Sequence, residues 1–261
     1  MIGKNPSFAG RNAAIYVSQV FIYNRALTDA EIARNYSATK SRYTYKEDII
    51  RDNLILNIDP ASALSYPGSG TVLADMSGYN YHPTLVNGPT LAGSGLTSSI
   101  LLDGSNDYIL VNSQANILSK TAYTKIAYIY ISNFSTVNNI ISGGFSGQHA
   151  FWMFATNKLN AGHNGAWNTV VGATSLSLNT WYFAAVTYNN STGWKLYLNG
   201  VEDGTSANTT TFTGNQEIVI GAYSSGNNFT GRIASVQVYN RVLSASEIVQ
   251  NYNATKRRYG L

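Results

Sequence analysis

The clearest candidate chemistry in this sequence is sugar recognition by aromatic and amide side chains near the middle of the chain. An indole ring can stack on the apolar face of a sugar, while amides hydrogen-bond its hydroxyl groups. The residues that offer these groups are Trp152, His163, Asn164, Trp167 and Asn168. They form a candidate carbohydrate-binding set, although packing or a subunit contact is the default interpretation of Trp167 and the sugar platform is the alternative.

Oxygen-bearing side chains in predicted loops provide a second candidate site. These are Asp75, Asp103, Asn106 and Asp107. Ca²⁺ prefers such hard oxygen ligands, but Asp and Asn in turns also accept hydrogen bonds from backbone amides two residues on. The turn interpretation is favoured and a structural calcium ion is the alternative; no other cofactor is expected.

Acidic residues bear on a third possible chemistry, because hydrolysis of a glycosidic bond needs two carboxylates roughly 5–10 Å apart. The chain has five glutamates, which are Glu31, Glu47, Glu202, Glu217 and Glu247. Only Glu31 has an acidic residue two positions away, Asp29, and this pair falls in the first turn of a predicted helix. Glu202 and Asp203 are adjacent, so in a strand they would point to opposite faces. We therefore expect no enzymatic activity.

The composition constrains the scaffold that has to position these groups. Of 261 residues, 11% are charged, 12% are aromatic and 44% are hydrophobic. The charged fraction lies far below the roughly 25% of ordinary globular domains, whereas the hydrophobic fraction can furnish a core. The absence of cysteine excludes disulfides and thiolate metal sites. No run of about 18 apolar residues occurs, so no membrane insertion is expected.

Charge is unevenly distributed along the chain, whose formal net charge is +4. Residues 52–240 carry five Lys or Arg against eight Asp or Glu, so this part is mildly acidic although the pI is about 9.1. A nucleic-acid groove would need a basic surface. No nucleic-acid partner is therefore expected.

Short apolar runs with period-two alternation, separated by frequent turns, predict an all-β protein. Residues 54–58, 124–131, 181–188 and 194–198 are the clearest strands. The last two flank a hairpin loop that contains Asn and Gly. About a dozen such strands with one C-terminal helix predict a two-sheet sandwich.

An internal repeat is the strongest organisational signal in the sequence. Residues 23–43 align with residues 239–259, and 13 of the 21 aligned positions are identical. Each copy predicts a strand, a turn and a helix. Both helices begin with a capping box, in which Ser or Thr is followed three residues later by Glu.

The repeat divides the chain into two predicted parts. Residues 46–261 form a complete domain that ends in the second copy, whereas residues 1–45 are interpreted as the terminal strand and helix of a preceding module of the same type. The strand of the first copy, near residues 16–23, needs a sheet edge for its backbone amides. We expect residues 1–45 to contact copies of this chain or neighbouring proteins.

Five motifs occur in an order that resembles a known family. They are residues 75–78 (DMSG), 102–108 (LDGSNDY), 181–188 (WYFAAVTY), 196–200 (LYLNG) and 229–233 (FTGRI). Together they resemble the concanavalin A-like (laminin G-like) jelly roll over about residues 52–261. The resemblance implies an all-β, two-sheet antiparallel jelly-roll sandwich with a short C-terminal helix, preceded by a strand–helix segment that duplicates the end of the domain. It also implies that Trp181 and Trp194 lie in the core.

The end of the chain resembles the variety of this family that is common in bacteriophage virion proteins. The matching residues are 238–241 (VYNR), Leu243, Glu247, Ile248, Tyr252 and Lys256. This resemblance implies a non-enzymatic decoration, fibre or tail-associated protein on the virion surface, assembled in the host cytoplasm and contacting other virion proteins through residues 1–45. The alternative is a carbohydrate-binding adhesin that recognises glycans on the host surface.

Overall fold

The structure is a computed structural model that describes residues 20–39, 48–111, 117–144, 147–153, 156–224 and 226–261. The chain divides into two units, Met1–Tyr45 and Lys46–Leu261. All described strands lie in the second unit.

Helix α1, Asp29–Thr39, lies in the first unit. The Glu31 backbone N–H donates to Thr28 Oγ1 at 3.3 Å, and the Glu31 carboxylate accepts from the Thr28 N–H at 2.9 Å. The predicted capping box is therefore present. Both bonds join residues three positions apart, which is why the sequence alone was sufficient to locate the start of this helix.

The described part of residues 16–23 does not form the predicted strand. Residues 16–19 lie outside the described residues, and residues 20–23 form no strand. The exposed fractions of Val20, Phe21 and Ile22 are 46%, 53% and 85%. The prediction is wrong for residues 20–23, because a strand needs a neighbour to pair its backbone groups and no described strand pairs with this segment.

The described residues of the second unit form sixteen strands, one α-helix and two short 3₁₀-helices. The strands are β1 (Leu54–Ile58), β2 (Thr84–Val86), β3 (Thr90–Ala92), β4 (Ser99–Asp103), β5 (Tyr108–Leu110), β6 (Ala122–Ile131), β7 (Asn138–Asn139), β8 (Ile141–Ser142), β9 (His149–Met153), β10 (Leu159–His163), β11 (Ala166–Val171), β12 (Trp181–Asn189), β13 (Gly193–Leu198), β14 (Val201–Ser206), β15 (Val219–Ile220) and β16 (Thr230–Tyr239). Helix α2 spans Ala245–Thr255, and the 3₁₀-helices span Gly95–Thr97 and Lys256–Tyr259.

Eight strands form the largest sheet, which is antiparallel throughout. Its order is β14-β13-β12-β6-β16-β4-β3. The eighth strand is β1. Strands β4 and β1 pair with the same edge of β16, β4 with its first half and β1 with its second half. The longest ladder joins β6 to β12, whose many aromatic and β-branched residues suit a pleated surface.

Two four-stranded sheets, ordered β11-β10-β9-β7 and β2-β5-β15-β8, form the second layer of the sandwich. Phe151 of β9 and Leu159 of β10 are buried in one cluster with Ile129 of β6 and Val186 of β12. This cluster lies between the layers and forms the core. Burial of its apolar surface is the dominant favourable contribution to folding.

Helix α2 covers the other face of the eight-stranded sheet. Its Ile248 is fully buried in a second cluster with Ile126 and Tyr128 of β6. Because β6 is covered on both faces, nearly all its residues are buried instead of alternating between buried and exposed. The helix begins at the predicted capping box, formed by Ser244 and Glu247.

The observed architecture confirms the predicted fold class. It is an all-β antiparallel sandwich of the jelly-roll type with a short C-terminal helix. Among the described residues, no helix combines the length and the apolar character required to cross a bilayer.

Candidate carbohydrate-binding site

The outer face of the sheet formed by β7, β9, β10 and β11 carries the first tryptophan of the predicted set. Phe151 and Met153 on β9 are buried in the core, so strand alternation turns Trp152 to the opposite face. Trp152 pairs in register with Asn160 on β10 and with Asn139 on β7. The result is a half-buried indole flanked by amide side chains.

Trp167 lies beside Trp152, on the edge strand β11. The Trp152 Nε1–H donates a hydrogen bond of 2.9 Å to the Trp167 backbone carbonyl. The Trp167 ring contacts Tyr223 edge to face, with 5.2 Å between the ring centroids. The structure therefore brings the two predicted tryptophans together and adds Tyr223. Tyr223 was not among the predicted residues, because it is 56 positions from Trp167 in sequence and no local pattern links it to the site.

Two cavities border both tryptophans, and together we call them the tryptophan groove. The larger has a volume of about 570 Å³ and is lined by Trp152, Gly165, Ala166, Trp167, Asn168, Thr169, Ser206 and Asn208. The smaller has a volume of about 170 Å³ and is lined by Val137, Asn139, Ala150, Trp152, Trp167, Tyr223 and Asn227. None of these described lining residues carries a charge, so the groove offers rings, amides and hydroxyls.

The turn between β10 and β11 contributes one end of the groove. Asn164 and Gly165 have φ values of 51° and 87°, which suit the two-residue hairpin turn that Asn-Gly favours. The Asn164 side chain donates to the Thr211 carbonyl at 2.8 Å and accepts from the Thr213 backbone N–H at 2.8 Å. The amide of Asn164 therefore holds the neighbouring loop, whereas exposed Asn168 lines the groove.

His163 does not reach the groove, which corrects its place in the predicted set. Its side chain is buried, with Nε2 3.0 Å from the Tyr123 hydroxyl and Nδ1 2.8 Å from the Thr210 carbonyl. Burial lowers the pKa of His163 to about 3. Alternation along β10 could have revealed this, because Leu159 and Ala161 share a face with His163 and both are core residues.

A second buried polar group lies next to this histidine in the core. Lys125 Nζ is 2.8 Å from His149 Nδ1 and 3.1 Å from the Ile141 carbonyl, while His149 Nε2 is 2.9 Å from the Glu217 carbonyl. A carbonyl only accepts, so Nε2 carries the proton of His149 and Nδ1 accepts from the Lys125 amine. Burial lowers the pKa of both Lys125 and His149 well below their usual values.

A protein-family comparison decides the affiliation of this sandwich. The family described as the concanavalin A-like lectin/glucanases superfamily (Laminin_G_3) matches residues 103–249, which is more than half of the chain. The chain belongs to this superfamily. The matched segment contains Trp152, Trp167 and Tyr223. No curated protein matches the sequence.

Solved structures of the superfamily fold agree with this assignment. Domain 4 of AbnA, a GH43 extracellular arabinanase from Geobacillus stearothermophilus in complex with arabinotriose, is 16% identical with a TM-score of 0.61, over 77% of this chain and 98% of that domain. Trypanosoma rangeli sialidase in complex with DANA is 12% identical with a TM-score of 0.60, over 85% of this chain and 37% of that one. The binding domain of botulinum neurotoxin serotype D is 21% identical with a TM-score of 0.59, over 78% of this chain and 52% of that one. At such identities the likeness shows the fold.

Because the superfamily name covers both lectins and glucanases, the positions of the carboxylates bear on the chemistry. No described residue lining the tryptophan groove is acidic. Glu202 is exposed and pairs with Lys195 at 2.6 Å, while the adjacent Asp203 is buried on the opposite face of β14, as alternation predicts. The Glu247 carboxylate is held by Arg241 at 2.6 Å.

The predicted calcium ligands of this superfamily member bind backbone amides in turns. Asp75 Oδ1 accepts from the Asn57 and Ser77 backbone N–H groups, each at 2.9 Å. Asp103 Oδ1 accepts from the Ser105 N–H at 2.8 Å, which lowers the pKa of Asp103, while burial raises the pKa of Asp107.

Their positions favour the turn interpretation over a metal site. Asp107 Oδ2 accepts from the Asp103 N–H at 3.2 Å, and the Asn106 carbonyl accepts from Asn87 Nδ2 at 2.8 Å. Across the part of the chain that the structure describes, no three acidic or histidine side chains gather as metal ligands would.

Proposed function

We propose that this chain is a non-enzymatic carbohydrate-binding module whose binding site is the tryptophan groove. The observation that carries the proposal is the joint exposure of Trp152 and Trp167 to one groove with an uncharged polar lining. Sugar recognition needs this combination, because stacking holds the apolar ring face while amides and hydroxyls bind the sugar hydroxyl groups.

The dimensions and the charge of the groove indicate the ligand class. The larger cavity, of about 570 Å³, falls within the range of about 300–1,000 Å³ typical of small-molecule sites. An acidic sugar would need a cationic partner for its carboxylate, and the described lining offers none. The preferred ligand is therefore a neutral oligosaccharide.

Structures of the same fold support carbohydrate binding as a use of this scaffold. The AbnA domain was solved in complex with arabinotriose. The binding domain of botulinum neurotoxin DC was solved in complex with SialylT. These statements concern those proteins, and the residues of the tryptophan groove carry the proposal for this chain. The proposal involves no cofactor.

A glycan screen with a matched control tests the proposal. The full chain is applied to a panel of neutral and sialylated oligosaccharides, and the best ligand is titrated by calorimetry. Trp167→Ala should weaken binding tenfold or more, in line with the loss of roughly 2 kcal/mol or more that follows removal of a central aromatic contact. Tyr79→Ala is the control, because Tyr79 is an exposed aromatic that stacks on Tyr81 away from the groove. Absence of binding, or equal affinities for all three proteins, would refute the proposed function.

A role as a bacteriophage virion surface protein is the second candidate. Its support is the resemblance of the chain end, residues 238–256, to virion proteins, together with the duplication of that end in residues 1–45. A glycan-binding groove on such a protein would serve adhesion to the host surface. Mass spectrometry of purified particles is the test: stoichiometric amounts of this chain would support the role, and its absence would remove it.

A further inference from the structure

The two copies of the internal repeat have the same internal framework. Arg241 Nη2 lies 2.6 Å from Glu247 Oε1 in the second copy, and Arg25 Nη2 lies 2.6 Å from Glu31 Oε1 in the first. In both copies the glutamate also completes the capping box of the helix. The described residues of the first copy therefore repeat the local framework of the second, and we call the repeated segments, 20–43 and 236–259, the closing unit.

A second hydrogen bond is repeated between the two copies. Asn251 Nδ2 donates to the Tyr239 hydroxyl at 2.9 Å, and Asn35 Nδ2 donates to the Tyr23 hydroxyl at 2.9 Å. This bond ties the helix of each copy to the segment that precedes it. The first copy thus has the same local geometry as the second, although its residues 20–23 have no strand partner among the described residues.

The identities between the copies follow burial. Seven aligned positions are buried in the second copy, and all seven are identical in the first. These are Tyr239, Leu243, Ile248, Asn251, Ala254, Thr255 and Tyr259. Six aligned positions are exposed in the second copy, and all six differ in the first: Ser244, Ala245, Ser246, Val249, Asn253 and Arg257. Over residues 239–259 the copies thus differ where side chains are exposed and agree where they are buried, whereas in the preceding segment the buried Gln237 and Val238 correspond to Phe21 and Ile22.

The buried positions of the second copy contact a defined surface of the sandwich. We call it the closing face, and it consists of Leu54, Ile126, Tyr128, Phe183, Ala185 and Tyr197. Tyr128 is its polar contact, since its hydroxyl donates to the Tyr252 carbonyl at 3.1 Å and accepts from Thr255 Oγ1 at 2.9 Å. The first copy has Tyr36 and Thr39 at the two corresponding positions.

The corresponding apolar side chains of the first copy are exposed. Ile32 is 55% exposed where Ile248 is 0%, and Ile22 is 85% exposed where Val238 is 0%. Exposed clusters of large apolar side chains on a soluble protein mark interaction surfaces. Because the closing face of this chain's own sandwich is filled by α2, the first copy needs a different sandwich.

We propose that residues 20–43 are the closing unit of a second laminin G-like sandwich, docked on a closing face built as in this chain. The partner surface is an apolar sheet face with a tyrosine hydroxyl placed to donate to the backbone carbonyl of residue 36, as Tyr128 does to Tyr252. The main argument is that all seven buried residues of the second copy are retained in the first. This inference does not depend on glycan binding.

A graft within the full chain tests whether the first copy fits such a face. The second copy is given the sequence of the first by eight substitutions: Val242→Ala, Ser244→Thr, Ala245→Asp, Ser246→Ala, Val249→Ala, Gln250→Arg, Asn253→Ser and Arg257→Ser. None of these positions is buried, so the melting temperature should stay within about 5 °C of the parent. The matched control, Ile248→Asp in the grafted chain, should melt about 10 °C lower or more. A graft that is as unstable as its control would overturn the proposal.

A peptide experiment tests docking between molecules. The receptor is the full chain carrying both Ile32→Asp and Ile248→Asp, so that neither of its closing units fits the closing face. A synthetic peptide of residues 20–43 should bind saturably and raise the melting temperature, whereas the same peptide with Ile32→Asp should do neither. Equal effects of the two peptides, or no effect of either, would contradict docking at the closing face. If the receptor fails to fold, the graft decides the question.

Discussion

Trp152 and Trp167 are joined by a hydrogen bond in which the indole N–H of one donates to the backbone carbonyl of the other at 2.9 Å. The bond fixes the orientation of the Trp152 ring and ties β9 to the edge strand β11. A ring held in place before the ligand arrives loses little conformational freedom on binding, which improves affinity. The polar end of Trp152 thus positions the platform, while its ring face remains available to the ligand.

Trp152→Phe separates these two roles of Trp152. Phenylalanine keeps an aromatic face but cannot donate to the Trp167 carbonyl. Loss of one such bond corresponds to about 1 kcal/mol, so glycan affinity should fall by about three- to tenfold, less than for Trp167→Ala. Calorimetric titration of both variants checks the order. An unchanged affinity in Trp152→Phe would show that the bond does not position the platform.

The uncharged lining of the groove predicts that binding is insensitive to salt. Screening by ions weakens interactions between charged groups, with a Debye length that falls from about 10 Å at 0.1 M to about 3 Å at 1 M. The dissociation constant for a neutral oligosaccharide should therefore change less than about twofold between low and high salt. A steep loss of affinity with salt would mean that a charged side chain outside the described lining takes part.

The two tryptophans of the site were predictable, and the reason is visible in the sequence. Trp167 lies among small and amide residues, and Trp152, although it lies in an apolar run, alternates with the core residues Phe151 and Met153. The prediction for His163 was wrong because its polar side chain suggested a site residue. Its register with Leu159 and Ala161 instead indicates a core position. Tyr223 could not be predicted, since only the chain path brings it to Trp167.

The sequence predicts the strands of the fold better than it predicts which polar side chains are buried. Strand alternation and turn residues act over a few positions, so the strands around Trp181 and Trp194 were found correctly. Lys125 was not recognised as buried, because its partner His149 lies 24 positions away and only the fold brings the two together. Pairings of this kind depend on tertiary structure and leave no local pattern.

The buried histidines predict a loss of stability in mild acid. The pKa of His163 in the folded state, about 3, lies below the usual value of 6.5, so the unfolded chain binds more protons between these two values. The free energy of unfolding should therefore fall as the pH drops below 6.5, by on the order of 2 kcal/mol at pH 5 from His163. His149 contributes with the same sign, because burial also lowers its pKa.

Urea unfolding at several values between pH 7.5 and pH 5 measures this effect. This range lies above the usual titration of carboxylates, including Glu247, whose pKa is lowered to about 2 mainly by Arg241. His163→Gln should reduce the dependence on pH, because the glutamine side chain does not titrate in this range. A stability that is constant over this range would contradict the neutral, buried state of His163.

Arg258 and Lys195 provide a comparison of two ion pairs of equal length but different burial. Arg258 Nη1 lies 2.6 Å from Asp59 Oδ2, with side-chain exposures of 6% and 18%, and Lys195 Nζ lies 2.6 Å from Glu202 Oε2, with exposures of 50% and 42%. Arg258 also donates from Nε to the Leu96 carbonyl at 2.9 Å. Together with a bond of 2.7 Å from Nη2 to Asp59 Oδ1, these contacts tie the C-terminal 3₁₀-helix to the segment after β1 and to the 3₁₀-helix Gly95–Thr97.

Burial should decide which of the two pairs matters for stability. Arg258→Ala leaves the Asp59 carboxylate partly buried without its partner, so the free energy of unfolding should fall by about 2–4 kcal/mol. Lys195→Ala should cost less than about 1 kcal/mol, because water solvates both of its charges. Chemical denaturation of the two variants measures the difference, and Arg258→Ala with Asp59→Asn completes a double-mutant cycle that isolates the coupling between the two side chains. Equal losses for the two alanine variants would mean that distance, and not burial, sets the strength of these pairs.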